Sequence, residues 1–234
     1  MLLNVDLDHH TTFGSRAEVA ELFEEWLGHV PHVVRAEALQ PVELELAVPG
    51  EHNRRNAAAA IAALELAGVA RADAERVIVE FAGAGRRLER KGEAGGVAVL
   101  DSYAHHPAEL SADIAAVRGT VAAAGGRVLA LFQPHLYSRT LHLAHEFAVA
   151  LSAADAVCVT DVYPAREEPL PGVSGRLIVE ELATVRPGMR IGWAPTLDAA
   201  VGLLAAWTRS GDTVLTLGAG DVDRAGPLLL EALA

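Results

Sequence analysis

Residues 96–110 read GVAVLDSYAHHPAEL: an apolar run, an aspartate, two adjacent histidines and then a proline. Val97, Val99 and Leu100 suit a buried strand. Pro107 fixes the backbone angle that a first helical turn needs, and Leu110, Ile114, Val117 and Val121 then share one helical face. Strand, polar loop, helix is the reading, and it recurs down the chain. RVLALFQP (127–134) leads to a helix from Ser138 to Leu151, AVCVTD (156–161) to one near 175–184, MRIGWAP (189–195) to one near 197–208, and DTVLTLG (212–218) to a terminal helix. Five short apolar strands alternating with helices predict an α/β fold whose mostly parallel sheet is covered on both faces, because each crossover must return across the sheet.

The residues before 96 are less regular. LLNVDLDHH at the start reads as a short buried strand. SRAEVAELFEEWL reads as a helix, with Ser15 and Glu18 at capping-box spacing and Val19, Leu22, Phe23 and Trp26 on its apolar face. PVELELAV (41–48) alternates like a half-exposed strand, and PGEHNRRNAAAAIAALELAGV and RADAERVIVEFAG read as two further helices. The glycines and charges of AGAGRRLERKGEAGG (82–96) suggest a hinge or linker.

Composition narrows the function. The 234 residues carry 19 Lys and Arg against 31 Asp and Glu, a net charge of −12, which opposes a broad nucleic-acid footprint but leaves room for a few convergent arginines around a small anion. The single cysteine, Cys158, lies in an apolar run and reads as a buried free thiol. With no bilayer-length apolar run and no secretory signal, no membrane association and a cytoplasmic location are expected.

Ligands of open α/β sheets bind beyond the carboxyl ends of the strands. That places Asp101–His106, Gln133–Arg139, Asp161–Glu167 and Gly218–Asp221 around one site. His105 and His106 are read as substrate or nucleotide contacts, or as loop hydrogen-bonding groups. Zinc is disfavoured, since adjacent histidines rarely turn to one ion. Asp101 suits a ribose hydroxyl, or caps the Pro107 helix. Arg139 offers a planar fork to a carboxylate or phosphate, or pairs on the surface with Glu146; His142 and His145 read as helix-face residues. Arg86 and Arg87 either close over phosphates or form a solvated turn, and Asn53 and Asn56 either read base edges or cap a helix. LGAGD (217–221) resembles a phosphate-cradling turn, yet no GxxxxGK(S/T) phosphate loop occurs in the chain.

Taken in order, NVDLDHH, PGEHNRRNAAAAIAA, FAGAGRRLE, VAVLDSYAHHPAEL, LFQPHLYSRT, VYPAREEPLPGVSG and LGAGD resemble the Mur ligase family. The resemblance implies a Rossmann-like C-terminal ligase domain at 83–234, preceded at 1–82 by a small remnant of the central ATPase domain. The connection between EEWLGHVPH and PVELELAVPG is shorter than the family's, and the UDP-sugar domain and phosphate loop are not among these residues. Implied too are ATP and Mg2+ as cofactors, with ATP/ADP, L-alanine and UDP-N-acetylmuramate as ligands. The implied chemistry is amide formation in peptidoglycan synthesis through an acyl phosphate. Residue by residue, His9 matches a magnesium-associated histidine, Asn53 and Asn56 an adenine-side segment, Arg87 an arginine near the nucleotide, and Asp101 a ribose-side residue. His105 and His106 match loop residues that orient the pocket, and His135 and Arg139 match the block facing amino acid and acyl phosphate. Two positions depart from the family: Leu136 stands where an arginine is usual, and Ser102 where a second aspartate is common. The expectation is a ligase-like chain, silent by itself, that needs a second chain for the phosphate loop; a nucleotide- or amino-acid-binding pseudoenzyme is the alternative.

Overall fold

A computed structural model describes residues 1–8, 12–121 and 125–234. Among them the chain separates into two compact units, Met1–Gly83 and Ala84–Ala234.

The first unit is built on three helices, α1 (Arg16–Leu27), α2 (Glu51–Leu66) and α3 (Arg71–Ile78). The Ser15 hydroxyl accepts from the Glu18 N–H at 3.2 Å while the Glu18 carboxylate takes the Gly14 N–H at 2.8 Å, so the start of α1 is capped from both directions. Its expected apolar face is only partly used: Val19 and Leu27 are buried, whereas Leu22 and Trp26 are more than half exposed. Two expected strands are absent. Of the opening segment, the described residues 2–8 make a single bridge, Leu2 to Arg35, and are otherwise irregular. Residues 41–48 keep the alternation in burial without a strand ladder: Val42, Leu44 and Leu46 turn inward onto Ala57, Ile61 and Ala74 of the helices. Apolar alternation fixes which way side chains face, but a strand also needs a partner edge, and none lies beside this segment among the described residues.

The second unit is a six-stranded sheet: β1 (Glu89–Ala94), β2 (Val97–Ser102), β3 (Val128–Phe132), β4 (Ala156–Thr160), β5 (Arg190–Ala194) and β6 (Thr213–Leu217). The order is β1-β2-β6-β3-β4-β5, parallel except for β1, which runs antiparallel to β2. The chain thus returns at its end to insert β6 between β2 and β3. Every residue of β3, β4 and β6 is buried, as parallel strands covered on both faces require. Five helices cover the sheet: α4 (Pro107–Val121), α5 (Tyr137–Leu151), α6 (Arg176–Val185), α7 (Leu197–Trp207) and α8 (Ala225–Leu233). Strand side chains alternate between them. Val128, Ala130, Phe132, Val157 and Leu215 pack with Leu110 and Ile114 of α4, Phe147 of α5 and Leu182 of α6. Leu129, Leu131, Cys158 and Val214 pack on the other face with Leu204 of α7 and Leu229 of α8.

The segment read as a hinge or linker holds the boundary between the two units, at Gly83 and Ala84, and its remainder is a turn followed by strand β1. Its sequence ERKGEA is polar because β1 is an edge strand, and Gly92, at φ +149°, sits at a register shift against β2. Among the described residues no helix is long and apolar enough to cross a membrane.

Candidate functional site

At the carboxyl ends of the strands, one arginine ties three segments together. Arg86 adopts φ +57°, and its Nε donates to Asp101 Oδ2 at 2.9 Å. Nη2 donates to Gly218 O at 2.8 Å and Nη1 to Gly220 O at 3.1 Å. The guanidinium also lies 5.1 Å from the Tyr103 ring centre. Asp101 is fully buried, and its second oxygen accepts from Thr216 Oγ1 at 2.6 Å. Each carboxylate oxygen thus accepts a hydrogen bond within the fold, and the group is shielded from solvent. Asp101 does not cap α4. That task falls to Glu109, whose Oε2 accepts the His105 and His106 N–H groups at 2.9 and 3.1 Å. Arg87, the arginine singled out in the sequence, is more exposed, 3.7 Å from Glu109.

The LGAGD turn spends its groups internally. Gly218 and Gly220 carbonyls hold Arg86, while Gln133 donates to Asp221 Oδ1 at 2.8 Å and accepts the Val222 N–H at 3.2 Å. A Cβ at Gly220 would run into Gln133 Oε1 and lie 2.6 Å from the Tyr163 ring, so glycine is what lets the turn close against β3.

The histidines gather beside it. His105 Nδ1 lies 2.9 Å from Tyr103 O, and since a carbonyl only accepts, Nδ1 carries the proton there. Its ring meets His135 edge-on at 5.9 Å, and His135 in turn stacks on Tyr163 at 5.8 Å. Arg139 is almost fully buried rather than on the surface, and its Nη1 is 3.2 Å from His135 Nδ1. Arginine has no acceptor, so this nitrogen accepts and Nε2 carries the His135 proton. Burial, then the charges of Arg139 and His105, lowers the His135 pKa to about 4, which keeps the ring neutral near pH 7.

The loop after β4 is fastened to the start of α5 by Glu167, which accepts from the Ser138 N–H at 2.9 Å and from the Ser138 hydroxyl. Burial works against the Glu167 carboxylate. The hydrogen bonds from Ser138 and the Tyr137 backbone, with the Arg139 charge, outweigh it and hold its pKa below the usual value. Leu136 precedes α5 with φ +72° and a buried side chain. Ser102 donates to Asp113 of α4, a buried pair that turns the serine away from solvent. His145 pairs with Glu181 on the helix surface at 2.9 Å.

The other sequence-selected residues lie in the first unit. Asn53 Nδ2 donates to Pro49 O at 2.6 Å at the start of α2, and Asn56 is exposed on the same helix. His9 lies outside the described residues. Among those described, no group of three or more His, Cys, Asp or Glu side chains is placed to hold a metal ion.

The structure therefore brings His105, His135 and Arg139 together, with Tyr163 as a fourth member that sequence reasoning left unassigned. It also places Arg86 and Glu167 as fasteners. The conspicuous signals for these were the strand-end positions themselves; the side-chain directions were not in the sequence.

The family model described as "Mur ligase, glutamate ligase domain" matches residues 86–220, which hold this whole cluster. The chain is 50% identical to UDP-N-acetylmuramate–L-alanine ligase of Thermobifida fusca over 199 residues, covering 82% of this chain and 41% of that protein. It is 39% identical to the Streptomyces coelicolor protein of the same name over 284 aligned positions, covering all of this chain and 61% of that one. Against 234 residues here, 284 aligned positions leave at least 50 in that relative without a counterpart. The crystal structure of UDP-N-acetylmuramate–alanine ligase from Thermotoga maritima superposes with a TM-score of 0.66 at 28% identity, covering 81% of this chain and 39% of that one. The chain thus spans less than two thirds of these relatives, and within that span its sheet, its strand-end loops and its motif order place it in the Mur ligase family.

Proposed function

We propose that this chain is the nucleotide- and amino-acid-facing part of a UDP-N-acetylmuramate:L-alanine ligase of peptidoglycan synthesis. Residues 1–82 would be a partial central, ATPase-type domain and 83–234 the Rossmann-like ligase domain. The observation that carries the reading is the convergence of His105, His135, Arg139 and Tyr163 from three strand-end loops inside the segment matched by the Mur ligase model.

ATP, when bound, supplies the phosphoryl group that activates a muramate carboxylate for attack by the amine of L-alanine. The donor set fits a nucleotide in part. Arg87 is an exposed cation and His105 a half-exposed ring beside Tyr103, so both can meet phosphate or base. Asn53 and Asn56 offer amides to the adenine side. Asp101 acts differently, by fixing Arg86 and through it the turn after β6. Arg139 presents a guanidinium whose fork suits a carboxylate or phosphoryl oxygen. His135, neutral, holds its proton on Nε2 and donates rather than takes a proton at that atom. Among the described residues no three His, Cys, Asp or Glu side chains gather around a metal position, and His9 would be the contribution of this chain to a magnesium site.

No GxxxxGK(S/T) loop lies within these 234 residues, so turnover by them is proposed to need a segment that carries one. Purified alone with ATP, magnesium, UDP-N-acetylmuramate and L-alanine they should release no ADP; sustained ADP release would sink this dependence. With a fragment of a relative that supplies the loop, ADP should appear, and Arg139→Ala should lower kcat/KM by about a hundredfold.

The convergent strand-end loops also support a second reading, binding of nucleotide or amino acid without turnover. Calorimetry of the chain with ATP, ADP and L-alanine separates the two.

A further inference from the structure

We infer that Arg166 and His135 form an oxyanion-binding pair in the second unit, the Arg166 guanidinium and the His135 Nε2–H donating together to one carboxylate or phosphate. This pairing deepens the ligase reading by naming a binding residue at the same strand-end site, and it rests on that reading for what the anion does in a reaction.

The first observation is a cation left over. Of the 19 Lys and Arg side chains, all but Arg166 meet a carboxylate, a backbone carbonyl, an imidazole or an aromatic ring among the described residues. With 31 Asp and Glu in the chain, pairing is the ordinary state of a cation here. Arg166 is exposed, and the carboxylate beside it in sequence is already spent: Glu167 gives one oxygen to the Ser138 N–H and the other to the Ser138 hydroxyl. A solitary surface arginine is unremarkable in itself, so its place in the fold decides whether it matters.

That place is fixed from both sides. The Tyr163 N–H donates to Pro134 O at 2.8 Å and the Leu136 N–H to Tyr163 O at 3.0 Å, while Glu167 holds the start of α5. Arg166 lies between these two fastenings, on a loop that runs beside residues 134–138, and its charge is among those that act on His135, with Arg139, His105 and Glu167. The residue before Arg166 and the residue after His135 both hold left-handed backbone angles, Ala165 at φ +51° and Leu136 at φ +72°. Such angles are strained for residues with a side chain and persist where the surroundings impose them, so the two loops are set rather than slack.

The third observation is a donor without an acceptor. Arg139 occupies Nδ1 of His135, which leaves the proton on Nε2, and among the described residues that N–H has no acceptor. An unpaired imidazole N–H and an unpaired guanidinium on adjoining loops both ask for acceptor oxygens. An oxyanion satisfies the two at once, with charge-assisted bonds from the arginine. In a chain of net charge −12 an anion needs such local donors to settle at all.

The test follows the His135 ring by NMR in the full 234-residue chain at pH 7 and constant ionic strength, titrating separately with inorganic phosphate, L-alanine and L-alaninol, which lacks the carboxylate. At least one of the two anions should shift the Nε2 resonance saturably, and L-alaninol should not. Arg166→Gln should weaken that binding at least about tenfold, and Arg166→Lys, which keeps the charge without the planar fork, should recover part of it. Arg190→Gln removes the same charge at the opposite end of the sheet and should leave affinity unchanged. Arg166-dependent binding of phosphate, of L-alanine or of both supports the pair and says which oxyanion it takes. No saturable shift with either anion up to about 20 mM, equal affinities in wild type and Arg166→Gln, or an equal loss in Arg190→Gln would each overturn it. ADP release with a loop-bearing fragment is scored apart: Arg166-dependent binding without turnover keeps the pair and counts against the ligase reading, and turnover without such binding does the reverse.

Discussion

The Asp101 carboxylate, fully buried at the end of β2, holds the Arg86 guanidinium at 2.9 Å, and that guanidinium holds the Gly218 and Gly220 carbonyls after β6. Removing Arg86 leaves a buried charge with only the Thr216 hydroxyl. Arg86→Ala is expected to destabilise the protein by about 3 kcal/mol in urea unfolding, with Arg87→Ala within about 0.5 kcal/mol of wild type. Equal effects of the two substitutions would contradict the clamp.

His135 makes stability depend on pH in a defined direction. Its pKa falls from 6.5 to about 4 on folding, so between those values the unfolded chain binds the extra proton and the folded one does not. The contribution is present in full above pH 6.5 and is lost as pH falls toward 4. Glu167, whose pKa is also depressed, loses its share only as pH falls below the ordinary carboxylate value, so a scan from pH 7 to 5 isolates the histidine. His135→Gln should flatten the decline in Tm over that range; an unchanged slope would place the titrating group elsewhere.

Cys158 is buried in β4, and burial pushes its pKa up to about 12. The thiol should resist iodoacetamide under native conditions at pH 8 and react once urea unfolds the sheet, read by mass spectrometry. Rapid native labelling would show that β4 opens or lies nearer the surface than described.

Gly220 has a negative φ of −83°, and its need for glycine is one of space beside Gln133 and Tyr163. Gly220→Ala must displace Gln133 or Tyr163, at a cost of about 1–3 kcal/mol. Because Tyr163 stacks on His135, the His135 ring resonances in an NMR spectrum should shift as well. A variant with wild-type Tm and spectrum would show that the turn has slack.

The parallel strands and their helices were legible because apolar runs such as RVLALF and TVLTL are buried on both faces and end at turn residues, so local pattern and final environment agree. Strand β1 was not legible: ERKGEA owes its strand conformation to the free edge of β2, a tertiary cause that leaves no apolar period behind. PVELELAV shows the opposite failure, a correct period with no edge to pair with. In the site, position along the chain pointed to the four strand ends. Family resemblance singled out Arg87, and position alone could not show that Arg86 is the one that points inward, because that depends on one backbone angle of +57°. The stacking of Tyr163 on His135 was hidden for the same reason, since the two are joined only through backbone bonds between neighbouring loops.

The insertion of β6 between β2 and β3 also orders events during translation. Until Thr213–Leu217 leaves the ribosome, β2 and β3 have no common neighbour, and two partial sheets wait with facing edges unpaired. A nascent chain halted near residue 210 would hold most of the histidine and arginine cluster yet lack the strand that joins its halves, which makes the emergence of Thr213–Leu217 the step that commits the whole second unit to its shape.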